Sequence, residues 1–139
     1  LTGRFAWIDG GEYLSSSCHV ENACEGLSRA LENGHGGEIY FVTDGPPRVW
    51  RELITRLLAT QDVSIGDRNL PRALAITIAT GGQWLWRLPG FSDAPPITRT
   101  ALALTAHEVT VVDDKARSEL GYQGAMTWEA GLAEMRAAA

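Results

Sequence analysis

The stretch SSSCHVENACEGLSRALENGHGGEIYFVTDGPP, residues 15–47, decides the fold. It reads as strand, helix, Gly-rich turn, strand and turn in succession. Asn22 is placed to cap the helix by accepting from an orphan N–H, and Glu25, three residues on, to complete a capping box. Val20, Ala23, Cys24, Leu27 and Leu31 follow the i, i+3, i+4, i+7, i+11 series, so the helix is expected to pack through that apolar stripe. Asn33-Gly34 ends it, with a residue of positive φ expected to close the last turn. Glu38 to Thr43 is too continuously apolar for a sheet wet on one side and reads as a strand covered on both faces. A strand returned to a strand through one helix is half of an α/β sheet.

Upstream, Phe5 to Ile8, Asp9-Gly10-Gly11 and Glu12 to Ser17 read as strand, turn and strand, a candidate hairpin. Downstream, Asp44-Gly45-Pro46-Pro47 is a turn leading into a helix whose stripe is Trp50, Leu53, Ile54, Leu57 and Leu58, with Arg48, Arg51, Glu52 and Arg56 outward. Residues 61–69 are polar and read as a loop. Residues 70–88, LPRALAITIATGGQWLWRL, read as a helix apolar almost all round, weakened at Gly81-Gly82 and too short in its apolar run to span a bilayer. Such a helix is buried on several sides, forms the lip of an apolar pocket, or touches a membrane surface. Leu88 to Pro96 is a loop, and Thr98 opens a short helix to about His107. Val109 to Val112 reads as a short strand. Asp113 caps DKARSELG, which ends at Gly121, and Thr127 caps a last helix with the stripe Trp128, Leu132, Met135.

The chain's 139 residues are one domain's worth. A net charge of −5 without a basic cluster leaves no electrostatic footprint for nucleic acid. Cys18 and Cys24 read as reduced, buried thiols, and no targeting segment is visible in LTGRFAWIDGG, which points to the cytoplasm. His19, His35 and His107 with the two cysteines give no recognised metal spacing, and no Ser sits in a G-x-S-x-G elbow. Asp113-Asp114, at a helix start, reads as a capping and dipole pair rather than as catalytic carboxylates.

CHVENACEGLSRALENGHGGEIYFVTDGPPRVWRELI, with PPITR at 95–99, DDKARSELGY at 113–122 and TWEAGL at 127–132, resembles the C-terminal portion of the extended short-chain dehydrogenase/reductases. The nearest likeness is to the 3β-hydroxysteroid dehydrogenase-like branch of the NAD-dependent epimerase/dehydratases. Glu21-Asn22 stands where that family commonly has Asp-Asn or Asp-Asp, and Arg48 where a capping Thr is usual. The resemblance implies an α/β fold: a few short strands packed with about five helices, the Rossmann core missing. On that reading residues 1–139 form the substrate-binding C-terminal domain, and strands within 1–45 would complete the parent's sheet.

The family's cofactor cradle is a Gly-rich turn between strand and helix, and none of the glycine pairs here has that spacing followed by a helix. Its proton-transfer pair is a Tyr with a Lys four residues later. The chain has a single Lys, Lys115, and Val111 stands four before it. No catalytic and no cofactor-binding residue is therefore expected in this chain, and NAD or NADP belongs to the parent. The substrate-side candidates are His19, from the family's HV-x-D/N motif at a strand end; Arg99, from its P-P-x-T-R stretch; and Trp84, Trp86 and Phe91 as apolar pocket wall.

The resemblance implies part of an NAD(P)-dependent oxidoreductase acting on a secondary alcohol or ketone, steroid-like, or on a nucleotide sugar, inert by itself. The expected partners are a small-molecule substrate and the missing N-terminal nucleotide-binding domain. A homodimer through the exposed edge of strand 38–43 is a further expectation, as is contact of 70–88 with a membrane surface. The competing readings are a self-sufficient α/β binding or dimerisation module and a non-catalytic NAD(P) sensor.

Overall fold

A computed structural model describes residues 5–85 and 107–139, without the side chains of 79 and 82–85. Trp84 is placed by its backbone alone; Trp86, Phe91, Arg99 and the helix expected from Thr98 lie outside the described residues.

Strand β1 (Trp7–Ile8) is followed by a 3-10 turn, Asp9–Gly11, and strand β2 (Leu14–Ser15). These do not form the expected hairpin. β1 pairs in parallel with β4 (Asn69–Leu70), whereas β2 pairs antiparallel with β3 (Arg48–Val49). The intervening turn has positive φ at Asp9, Gly10 and Gly11, which swings the chain from one sheet to the other. Gly11 sits so close to the Trp7 ring that an added Cβ would lie 2.8 Å from it. Trp7 is 2% exposed, and its indole N–H donates to the Gly66 carbonyl at 3.1 Å. The expected strand at 109–112 contributes one bridge, Val109 to Ser15, reinforced by Ser16 N–H to the Val109 carbonyl at 3.0 Å.

Helix α1 spans Val20–Asn33, but its cap is His19, whose side chain accepts from the Glu21 N–H; Asn22 lies inside the helix. Asn22 and Glu25 are drawn away by tertiary partners described below. Gly34 ends the helix as expected, yet at φ −70°, in extended conformation rather than the left-handed region. The larger correction concerns its faces. α1 packs through Asn22, Gly26 and Ala30, while Val20, Leu27 and Leu31 are 68%, 68% and 90% exposed.

Gly26 permits the approach to the 38–43 segment: a Cβ there would lie 2.7 Å from Val42 Cγ1. Residues 38–43 run beside α1 but belong to neither sheet. Tyr40 and Val42 pack inward against a cluster of Ala116, Leu120 and Tyr122, whereas Ile39 and Phe41 are 73% and 52% exposed. The segment is thus covered on one face, not two.

Helix α2 (Trp50–Ala59) and helix α4 (Trp128–Ala137) carry the other main core, with Leu53, Trp128 and Leu132 at its centre and Trp50, Ile54 and Leu57 around it. Thr127 caps α4 by accepting from the Ala130 N–H at 3.2 Å, as expected. Arg56 clamps Glu129 with both guanidinium ends, joining the two helices at the surface. Helix α3 (Arg72–Leu85) runs through Gly81-Gly82 without a break. It buries Ala75 against Ile8, Tyr13 and Leu70 but exposes Leu74, Ile76 and Ile78 by 41–49%. Among the described residues no helix is long and apolar enough to cross a membrane.

The DKARSELG segment becomes a π-helical turn, Ala116–Leu120, closed by Gly121 in the left-handed region at φ 72°. Asp113 points away from that turn's N–H groups, to Thr43 and Arg117. Both cysteines are free but, against expectation, exposed. Four α-helices, the π turn and four two-residue strands among the described residues make the α/β fold of few short strands and about five helices.

Candidate functional site

The end of β2, the start of α1 and the end of 38–43 meet at a polar knot. The Asp44 carboxylate accepts the His19 backbone N–H at 2.6 Å and the Asn22 amide at 2.7 Å through one oxygen, and the Ser17 hydroxyl at 2.9 Å through the other. Asn22, 1% exposed, donates also to the Met126 carbonyl at 2.7 Å and accepts the Met126 N–H at 3.0 Å. Its amide thereby joins α1, Asp44 and the approach to α4. One turn on, Glu25 accepts the N–H groups of Gln123 and Gly124 at 2.8 and 3.0 Å. The Gln123 N–H first, then those of Gly124 and Ala125, hold its carboxyl below the usual range.

A second cluster fixes the other side of 43. The buried Asp113 carboxylate accepts from Thr43 Oγ1 at 2.8 Å and from Arg117 Nε and Nη2 at 3.0 and 2.9 Å. Arg117, then Thr43, depress its pKa. Tyr122 donates to the Thr43 carbonyl at 2.7 Å, and burial pushes its phenol up to about 12. These carboxylates have their donors in place and act as ties between segments. None presents a free oxygen to a reacting group with a base at hand.

Beside the knot lies a pocket of about 460 Å³, lined by Cys18, His19 and Val20 on one wall, Leu53 and Leu57 of α2, and Trp128, Leu132 and Met135 of α4. His19 is the one substrate-side candidate whose side chain is described. Its Nδ1 accepts from Glu21 N–H, so the neutral ring carries its proton on Nε2, 3.8 Å from a Glu134 carboxylate oxygen. The ring also lies over Gly131, where a Cβ would come within 3.0 Å. Cys18, at the rim, is not an activated thiol: desolvation, then Asp44, raises its pKa.

The pocket residues on α2 and α4 were legible only as core stripes. The signal that α4 also lines a cavity was Gly131, a helix-interior glycine beneath the His19 ring. Among the described residues no group of three or more His, Cys, Asp or Glu side chains is gathered to hold a metal ion.

This arrangement is a sheet-and-helix portion with a pocket beside a set of polar ties. No family model matches the chain. It is 47% identical over 137 residues, 99% of its length, to a 4-hydroxy-2-methyl-3-oxo-4-farnesyl-3,4-dihydroquinoline-1-oxide ketoreductase of Stigmatella aurantiaca, and covers 41% of that protein. It is 30% identical over 95% of its length to a decarboxylating sterol-4-alpha-carboxylate 3-dehydrogenase of Dictyostelium discoideum, again over 41% of the relative. The crystal structure of gox2253 superposes on 85% of the chain with a TM-score of 0.57 at 30% identity, over 34% of that protein. The chain belongs, in sequence and fold, with the extended short-chain dehydrogenase/reductases, over what is their C-terminal part. It spans about 41% of the length of these curated relatives, which are oxidoreductases by name.

Proposed function

We propose that residues 1–139 are the substrate-binding C-terminal domain of an NAD(P)-dependent oxidoreductase acting on a secondary alcohol or ketone of lipophilic, steroid-like kind. The observation that carries this reading is 47% identity, across essentially the whole chain, to a ketoreductase. The bare apolar stripe of α1 and the unladdered segment 38–43 support it, because both are what an α/β sheet leaves when its neighbouring strands belong to a preceding nucleotide-binding domain. Strands within 1–45 then complete that domain's sheet.

The partner domain supplies NAD or NADP and the proton-transferring pair; when bound, the nicotinamide exchanges hydride with the substrate carbon. This chain supplies substrate contacts, for which His19, Trp84, Trp86, Phe91 and Arg99 are the proposed residues, and the apolar surface of α3 as an entrance wall. The cytoplasm is its proposed location. Without its partner domain the same bare surface drives self-association.

The test is direct. The gene segment preceding Leu1 is read for a Gly-rich βα turn and a Tyr-x-x-x-Lys pair, and the longer protein is assayed for nicotinamide-dependent ketone reduction. The 139-residue chain alone is expected to bind neither NAD nor NADP in titration calorimetry. Tight binding by the chain alone, or a preceding segment lacking both motifs, overturns the reading.

A further inference from the structure

Helix α3 is anchored along one line and bare over much of the rest of its surface. Ala75 is fully buried against Ile8, Tyr13 and Leu70, and the Arg72 N–H donates to the Asp9 carboxylate at 2.9 Å. Leu74 and Ile76 each lie about 100° round the helix from Ala75, on opposite sides of it. They are 49% and 43% exposed, and Ile78 is 41% exposed. The Thr77 hydroxyl, on the outward side, donates back to the Ala73 carbonyl at 2.9 Å, so it makes no demand for water. The bare surface therefore takes in both flanks of the helix, wider than the single stripe that a helix lays into a protein groove.

Charge selects the partner. Between Asp67 and Asp93 the sequence carries Arg68, Arg72 and Arg87 and none of its 17 acidic residues, in a protein of net charge −5. The carboxylates on the approach to α3 already have donors: Asp9 accepts the Arg72 N–H and the Tyr13 hydroxyl, and Asp67 accepts from Arg51. The Arg72 guanidinium meets the His107 ring at 2.9 Å and forms no ion pair among the described residues. An apolar helix with basic residues at its flanks, in an otherwise acidic chain, suits an apolar medium bordered by negative charge. α3 is too short and too interrupted to cross a bilayer, so it would lie in the plane of one. We propose that α3 docks the protein on the surface of an anionic lipid bilayer, with Leu74 and Ile76 in the acyl boundary and the arginines among the headgroups. Neither a nicotinamide nor a further domain takes part, so this docking stands or falls separately from the oxidoreductase reading.

The probe is vesicles of phosphatidylcholine with about one third phosphatidylglycerol, compared with phosphatidylcholine alone, and the readout is co-flotation. The 139-residue chain is expected to bind the mixed vesicles about tenfold or more tightly than the neutral ones, and to leave them as salt rises to about 0.5 M. Leu74→Ser with Ile76→Ser should weaken binding about tenfold or more. Both side chains face water in the free protein, so the unfolding midpoint should stay in place. Leu27→Ser with Leu31→Ser strips the bare stripe of α1 by the same chemistry and should bind as the parent chain does.

Binding unchanged by the α3 pair, or abolished by the α1 pair instead, overturns the proposal. So does equal binding to the two kinds of vesicle. A fall in the unfolding midpoint of the α3 pair would show that face to be buried, which is equally fatal. A dimer in sedimentation equilibrium that the α3 pair dissociates would assign the face to a second copy of the chain and end the proposal as well.

Discussion

Helices α2 and α1 are both amphipathic, and they meet opposite fates. The stripe of α2 finds α4 within the chain, and Leu53, Trp128 and Leu132 end 8–9% exposed. The stripe of α1 finds nothing among the described residues, and Leu27 and Leu31 remain 68% and 90% exposed. What holds α1 in place is its other face, a glycine for close approach and two polar side chains, Asn22 and Glu25, bonded to residues about a hundred positions away. An apolar stripe therefore states that a helix needs a partner, not where that partner is. When the hydrophobic face is unused, directional polar bonds must fix the helix, and they become the sensitive points.

The largest effect is expected at Asn22. Asn22→Leu keeps the bulk but strips Asp44 of a donor and leaves the Met126 N–H and carbonyl unpaired in a buried site. A loss of about 3 kcal/mol in denaturant unfolding follows, from about 1–3 kcal/mol for each unsatisfied group partly relieved by water. A loss under about 0.5 kcal/mol would mean that the polar face does not hold α1 and would break the comparison.

Next comes Gly26→Ala. In an open helix this change stabilises by about 1 kcal/mol, but here the new Cβ would lie 2.7 Å from Val42 Cγ1. Overpacking costs about 1–3 kcal/mol, so a net loss of up to about 2 kcal/mol is expected once the helical gain is subtracted, with the 38–43 segment displaced. Val42→Ala on top should recover most of it, a coupling that a double-mutant cycle measures. Full additivity would refute the contact.

Tyr122→Phe should cost about 1 kcal/mol at neutral pH, through the bond lost to the Thr43 carbonyl. Its pH signature is more telling. The folded phenol is raised to about 12 by burial, above an unfolded value near 10. The contribution is complete below pH ~10 and is lost as pH rises toward about 12, because the unfolded chain releases its proton first. A phenylalanine at this position has no proton to release and carries no such decline, so the stability curves of the two proteins should converge across that window. A constant gap would show that Tyr122 is not buried as described.

Much of the fold was legible wherever a local signal and its partner both lie in the chain. The α2 stripe, the Thr127 cap, the stop at Gly121 and the end of α1 at Gly34 followed from spacing and turn chemistry. The misreadings share one cause, partners distant in sequence. Asn22 looks like a cap because caps are local, yet Met126 and Asp44 claim it, and His19, not a favoured capping residue, takes the position. Residues 38–43 have a strand's pattern but no ladder, since pattern records what a segment is built for and the ladder needs a neighbour. At the site, the motif picked out His19, while the pocket wall on α2 and α4 read as ordinary core because cavity and core have the same apolar periodicity. Gly131, beneath the His19 ring, distinguishes them.

The smallest expected effect is the one that sharpens the comparison most. Leu27→Asp with Leu31→Asp would ruin a helix that packs through its stripe, at several kcal/mol for two buried charges. On the chain as described both side chains face water, so the pair should change unfolding stability by no more than about 0.5 kcal/mol while raising solubility and reducing self-association in sedimentation. Adding two negative charges to a net −5 also favours the dispersed state. In the longer protein proposed above, the same pair should abolish stable folding or nicotinamide-dependent activity, because the stripe is then buried. Near-neutrality in the short chain with collapse in the long one identifies the stripe as an internal domain contact, whereas equal damage in both would mean that α1 packs through Leu27 and Leu31 after all.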